Sequence, residues 1–181
     1  MKTKVIIING KPRVGKDTFM DISSEVLKND RNLITKYSLI DPIRNFAPHD
    51  SKDPEYRKAL YLMKKALEEV PSYSLVTLAA DYIKAKSEQI ERASKYKAQY
   101  IFLCMREESD ILKLKELLED TGIPVVKVLI KGTPELESLE YGNPADDSHT
   151  DVCNYNYVIE NNSTLKIFIR KTVNFWNLEN N

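Results

Sequence analysis

The chain has 181 residues, enough for one domain with a proper core, and its 27 Lys+Arg balance 27 Asp+Glu. That balance excludes a protein that binds polyanions through net charge, so neither nucleic acid nor membrane is expected as a partner. The chain opens on a strand pattern with no apolar signal segment, and no run approaches the ~18 apolar residues of a membrane span, so a cytoplasmic location is expected.

The first predicted element is a strand over Lys4–Asn9, built on the apolar run Val5-Ile6-Ile7-Ile8. It leads straight into Gly-Lys-Pro-Arg-Val-Gly-Lys-Asp-Thr, from Gly10 to Thr18. A buried strand, a loop bounded by two glycines, a lysine and a helix start form the pattern of a phosphate-binding loop. Gly10 and Gly15 let the backbone wrap closely around an oligophosphate, where a Cβ would stand in the way. Successive amide N–H groups then face the anion at the positive end of the following helix. Lys16 is positioned to set its ammonium against the terminal phosphates. Gly10, Lys11, Arg13, Val14, Gly15, Lys16, Asp17 and Thr18 are therefore the expected phosphate-binding residues. Phe19, Met20, Ile22, Val26 and Leu27 give the following helix its apolar face. The usual residue after the lysine is Ser or Thr, whose hydroxyl helps hold Mg²⁺. Here it is Asp17, with Thr18 next. A carboxylate is a hard oxygen ligand, so Asp17 and Thr18 are the expected metal ligands. A helix-start acid favoured by the dipole is the plainer role for Asp17, and the two are compatible.

Further strands are predicted at Ile34–Ile40, Tyr100–Met105, Val125–Ile130 and Tyr157–Glu160. Helical spacing appears over 54–70, with Ala59, Met63, Ala66, Leu67 and Val70 as the apolar face, and over 75–97, with Leu75, Ala79, Tyr82, Ile83, Ile90 and Ala93. It recurs over 108–120, with Ile111, Leu114, Leu117 and Leu118, where Gly122 is a C-terminal cap. A last helix begins near Ser163 and buries Leu165, Phe168, Ile169, Val173 and Trp176. Strands alternating with helices imply an α/β fold: a five-stranded parallel sheet between two helical layers. Residues 1–181 form a single domain in this reading. A helical insertion occupies about 41–98, and a polar stretch over about 131–156, with Gly132, Pro134, Gly142 and Pro144, is long enough to act as a lid. Both follow the carboxyl ends of strands, the edge where open parallel sheets bind ligands. Cys104 and Cys153 have no metal-ligand spacing, and His49 and His149 fall in predicted loops.

After the second strand come Ser38, Asp41 and Arg44, in Ser38-Leu39-Ile40-Asp41-Pro42-Ile43-Arg44. Nucleoside monophosphate kinases carry a Ser, an Asp and an Arg at this spacing after the same strand. Gly-Lys-Asp-Thr with Asp-Pro-Ile-Arg resembles, more narrowly, the phage-type deoxynucleoside monophosphate kinases. Arg106-Glu107 at the end of the third strand and Asp151-Val152-Cys153-Asn154-Tyr155-Asn156-Tyr157 before the last strand extend the resemblance. It implies a P-loop NTPase fold, ATP and Mg²⁺, and transfer to a nucleotide's 5′-phosphate. It implies Ser38, Asp41, Arg44 and Arg106 as acceptor-binding residues, and Lys16, Arg106 and Asp41 as the catalytic set. Arg44 and Arg106, each just past a strand end, can also form a fork for a phosphate on chemical grounds alone. Tyr73 and Tyr82 are candidates for stacking on a base.

Three features depart from that family. The third strand ends Leu103-Cys104-Met105 without the usual aspartate, leaving Glu107 or Asp17 for Mg²⁺. From Gly132 to Leu165 there is no Lys or Arg, whereas such kinases bring lid arginines to the transition state. The stretch is acidic instead, with Glu135, Glu137, Glu140, Asp146, Asp147 and Asp151. Losing an arginine finger can cost ~10³ in rate. Lys131, Lys11, Arg13, Arg106 or the partner subunit of a homodimer are the remaining sources of charge. Two other functions stay open beside the leading one: a kinase of another small phosphorylated acceptor, and a regulatory protein that binds ATP without transfer.

Overall fold

The structure is a computed structural model, and it describes residues 3–28, 31–44, 53–93, 95–137 and 154–179. Five strands form one parallel sheet: β1 (Thr3–Asn9), β2 (Leu33–Ser38), β3 (Gln99–Cys104), β4 (Val125–Lys131) and β5 (Tyr157–Glu160), in the spatial order β2-β3-β1-β4-β5. β1 is central, pairing Val5 with Ile101 on one side and with Val125 on the other. The α/β architecture expected from the alternating pattern is the one observed.

Because side chains alternate across a strand, the run Val5–Ile8 supplies both cores at once. Val5 and Ile7 join Ile101 and Leu103 under α3 (Pro54–Glu68), α4 (Leu75–Arg92) and α5 (Glu108–Leu118). Ile6 and Ile8 join Phe102, Val128 and Ile130 under α1 (Lys16–Lys28) and α7 (Leu165–Glu179). On that second face Trp176 meets the Tyr100 ring edge-on, with centroids 5.2 Å apart, and Phe175 lies 5.6 Å from Phe19. Two short helices, α2 (Asp41–Arg44) and α6 (Pro134–Glu137), follow β2 and β4. Among the described residues, no helix is long and apolar enough to cross a membrane.

Several boundaries and faces differ from the sequence reading. β2 stops at Ser38 rather than Ile40, because the Asp41 carboxylate accepts the Ser38 N–H at 2.6 Å and turns the chain into α2. α4 ends at Arg92, where Ala93 turns extended and its N–H closes on Gln89 and Ile90. The face predicted for α3 is wrong in phase. Ala59, Met63, Ala66 and Val70 are exposed, and the helix instead buries Tyr56, Leu60 and Lys64, with Leu67 half-buried. A lysine sits on the inner stripe, so a hydropathy count finds the wrong side. In α7, Leu165 and Ile169 are exposed, while Thr172 is fully buried because its hydroxyl donates to the Phe168 carbonyl at 3.0 Å.

Candidate functional site

The chain between β1 and α1 curls under the strand ends. Gly10 has φ 139° and Gly15 φ 100°, conformations that side chains rarely adopt. A Cβ on Gly10 would lie 2.4 Å from the Ile130 carbonyl oxygen, and one on Gly15 would lie 2.6 Å from the Asn161 amide nitrogen. Gly10 is required by space as well as by angle, whereas at Gly15 the angle decides, because the Asn161 amide is the end of a side chain that can turn away. Arg13 also takes a left-handed conformation, φ 64°. Val14 is fully buried, and its carbonyl accepts a 3.0 Å bond from Asn161 just past β5. Lys16 opens α1 and folds back over the loop, donating to the carbonyls of Gly10 at 2.5 Å and Lys11 at 2.7 Å. Its ammonium is held over the curl formed by residues 10–15.

This loop forms one wall of a cleft of about 840 Å³. Arg13, Gly15, Lys16, Asp17 and Thr18 line it on the loop side. Opposite stand Ser38, Asp41 and Arg44. Asp41 organises that wall: one carboxylate oxygen takes the Ser38 N–H, and the other accepts from the Arg44 guanidinium at 3.2 Å. Arg106, just beyond β3, completes the floor with Glu107. The fully buried Val14 and the carbonyls of Gly10 and Lys11 serve the loop from within.

The electrostatics converge at the end of β3. Burial pushes the Cys104 thiol up to about 11, and the same thiol feels the charges of Lys16, Asp17, Arg106 and Asp41. Charges from both walls of the cleft thus act on one point. Tyr37, on β2, is pushed up to about 12 by burial, with Asp41 and Tyr82 adding to it. Its ring stacks on Tyr82 with centroids 4.8 Å apart. Of the two tyrosines considered for base stacking, Tyr82 is engaged in that pair and Tyr73 is exposed on a turn before α4. Neither lines the cleft.

One group escaped the sequence reading. Lys64, on α3, donates to Glu107 at 2.5 Å and to Asp110 at 3.0 Å, with Glu68 3.5 Å away. Burial works against its ammonium, but the hydrogen bonds and charges of Glu107 and Asp110 outweigh it and hold the lysine's pKa above the ordinary value. Burial pushes the Asp110 carboxyl up, and Lys64 draws it back only part way, since the charges of Glu107 and Glu68 push in the same direction as burial. Glu107, one of two residues considered for Mg²⁺, is therefore engaged by Lys64. Of that pair, Asp17 is the one that stands exposed on the loop wall. A buried lysine at helical spacing beside Leu60 and Leu67 was the only signal in the sequence.

The lid expectation is only partly within view. α6 and the residues from Asn154 onward are described, whereas Glu140, Asp146, Asp147, His149, Asp151 and Cys153 lie outside the described residues, as does His49. Tyr155 nevertheless reaches the carboxyl end of the central strand, where its hydroxyl accepts a 2.7 Å bond from Asn9.

The sequence matches no protein-family model and no curated protein. Solved structures do share its architecture. The APS kinase of Mycobacterium tuberculosis, in complex with AMPPNP and APS, is 10% identical and superposes with a TM-score of 0.56 over 97% of this chain and 98% of that one. The tunicamycin resistance protein of Deinococcus radiodurans is 17% identical, with a TM-score of 0.55 over 96% of each chain. A sugar kinase from Janibacter sp. is 11% identical, with a TM-score of 0.53 over 97% of this chain and 95% of that one. At such identities the likeness speaks to architecture, and it agrees with the parallel sheet, the glycine-bounded loop and the lysine at the head of α1. The chain has the P-loop NTPase fold.

Proposed function

We propose that this chain transfers the terminal phosphoryl group of ATP to the phosphate of a nucleoside or deoxynucleoside monophosphate. The observation that carries the reading is the two-walled cleft. Lys16 and its loop line one side, the Asp41–Arg44 pair lines the other, and Arg106 lies between them. Phosphoryl transfer asks for position and positive charge more than for covalent help. Loop N–H groups and Lys16 would hold the donor's phosphates. Arg44, braced by Asp41, and Arg106 would hold the acceptor's phosphate, leaving one of its oxygens in line with the donor's terminal phosphorus. The bond from that phosphorus to the bridging oxygen breaks as the new one forms, giving ADP and a nucleoside diphosphate. Asp17 and Thr18 offer hard oxygens on the loop wall, a donor set suited to Mg²⁺, which supplies charge neutralisation on the triphosphate when bound.

A thermal-shift and coupled-turnover panel tests this, with each monophosphate presented with ATP and Mg²⁺. A selective acceptor at about 100 times its Kd adds ~2.7 kcal/mol of stability. Turnover with a sugar or APS, and with no monophosphate, would overturn the acceptor assignment. That second reading is favoured by the APS kinase and the sugar kinase among the similar structures. Arg44→Ala and Arg106→Ala should each weaken acceptor binding by ~1.5–3 kcal/mol, the scale of hydrogen bonds to charged groups, with ATP affinity little changed. Calorimetric titration of each ligand separately checks it, and an equal loss for ATP would move these arginines to the donor side.

Asp17 sets the metal dependence. It is exposed, so its repulsion of a phosphate charge 4 Å away is about 1 kcal/mol in water-like surroundings, roughly fivefold in affinity. Asp17→Asn should improve metal-free ATP binding by about that factor and weaken binding in Mg²⁺, while Asp17→Ser keeps most of the Mg²⁺-dependent affinity. Parallel titrations with and without Mg²⁺ decide between a metal ligand and a helix-start acid.

A further inference from the structure

Asn9 ends β1 with its side chain fully buried, an arrangement that needs every polar atom satisfied. Its Oδ1 accepts from the Gly10 N–H at 2.7 Å, and its Nδ2 donates to the Arg106 carbonyl at 2.9 Å and to the Tyr155 hydroxyl at 2.7 Å. A backbone N–H only donates and a carbonyl only accepts, so these two partners fix which way the amide lies. The three partners belong to three different segments: the first residue of the phosphate loop, the cleft-lining arginine beyond β3, and the stretch entering β5.

The position is unusual in the sheet. The β1–β3 ladder pairs residues as far as Ile8 with Cys104, and a last long bond runs from the Met105 N–H to the Ile8 carbonyl at 3.4 Å. Past that point the Asn9 side chain takes over the backbone's work and ties Arg106 to the loop. On the far side, Asn156 pins the β5 approach to Lys127 through both its N–H and its side-chain oxygen. Tyr155, next to it, meets Asn9 through its hydroxyl.

We infer that Asn9 is a positioning residue that couples occupancy of the phosphate loop to Arg106 and to the Tyr155 segment, through hydrogen bonds to Gly10, Arg106 and Tyr155. The inference rests on the loop binding a nucleotide triphosphate, as proposed above, and extends that reading. A ligand that draws the Gly10 N–H moves the same amide that holds the Arg106 peptide, so donor site and acceptor arginine shift together. Misplacing reacting groups by about 1 Å can cost ~10²-fold in rate.

The test uses the full chain with AMPPNP and amide hydrogen exchange. In the native protein, AMPPNP should slow exchange in 105–108 and in 154–157 as well as in the loop. Asn9→Leu, which keeps the volume and removes all three bonds, should bind AMPPNP within about threefold of the native Kd yet lose both remote protections. Tyr155→Phe, a single hydroxyl deletion that secures the test if Asn9→Leu does not fold, should lose protection in 154–157 and retain it in 105–108. In turnover, Asn9→Leu should lower kcat ~10²-fold with both KM values within about threefold. Remote protection that survives in Asn9→Leu, or protection of 154–157 that survives in Tyr155→Phe, overturns the coupling. Absent turnover with every monophosphate would refute the acceptor assignment and leave the exchange result to judge Asn9. Failure of AMPPNP to bind the native chain would overturn both.

Discussion

Replacing Lys16 with alanine is expected to lower ATP affinity by ~1.5–3 kcal/mol, about 10- to 150-fold, and turnover by ~10²–10³-fold. The side chain sits on no core: it lines the cleft, and its ammonium bonds the Gly10 and Lys11 carbonyls. Gly10 is buried, so the loss of the donor these carbonyls share should cost ~1–3 kcal/mol of stability while the circular dichroism spectrum keeps its shape. The affinity loss should be confined to ligands with a terminal phosphate. A variant that binds ATP as tightly as the native chain would remove the phosphate-loop reading and, with it, the assignment of a donor side to the cleft.

The second large effect is on stability. Lys64→Met should cost ~3–5 kcal/mol, the range for removing one partner of a buried ion pair. The methionine fills the space, but Glu68, Glu107 and Asp110, whose oxygens lie within 4.8 Å of one another, lose the ammonium they share. Urea denaturation measures the loss, and Ca²⁺ should restore part of it in the variant and none in the native protein, because the variant removes the ammonium from Glu107 and Asp110 and leaves only Lys65, 3.1 Å from Glu68, beside the three carboxylates. The pH dependence has a definite sign. The folded state holds Lys64 above its ordinary 10.5, so its contribution is complete below that value and disappears as pH climbs through the folded value. The two proteins should therefore converge in alkali. They should converge in acid too, since Asp110 takes up its proton above the ordinary 3.8 and relieves the excess negative charge. A gap below 1 kcal/mol at pH 7 would mean the cluster is no tie between α3 and the β3–α5 turn.

The parts of the fold that could be read in the sequence are those where one physical demand dominates. Val5–Ile8 is wholly apolar because both faces are covered, Gly10 stands where the Ile130 carbonyl leaves no room for a Cβ, and Gly15 takes a backbone angle that side chains rarely adopt. Ser38, Asp41, Arg44 and Arg106 are placed by the sequence just past or at strand ends, and the structure gathers them along one cleft. What stayed hidden depends on partners far along the chain. Lys64 reads as a solvent-facing residue until Glu107 and Asp110 are brought to it, and that one lysine threw the phase of α3. Thr172 reads as polar until its hydroxyl is returned to its own helix. Asn9 reads as the polar end of a strand, and only the meeting of residues 9, 106 and 155 gives its amide three partners.

The central place of β1 also bears on how the chain comes to be folded. Both strands that flank it arrive late, β3 at Gln99–Cys104 and β4 at Val125–Lys131, and Asn161 must follow before Val14 gains its bond. Contacts of such long sequence separation make for slow folding. During synthesis at ~5–20 residues per second, the isoleucine run would wait roughly 5–25 s for its neighbours. Throughout that interval a strand with no charged residue between Lys4 and Lys11 has no partner of its own, which leaves it open to pairing with other chains.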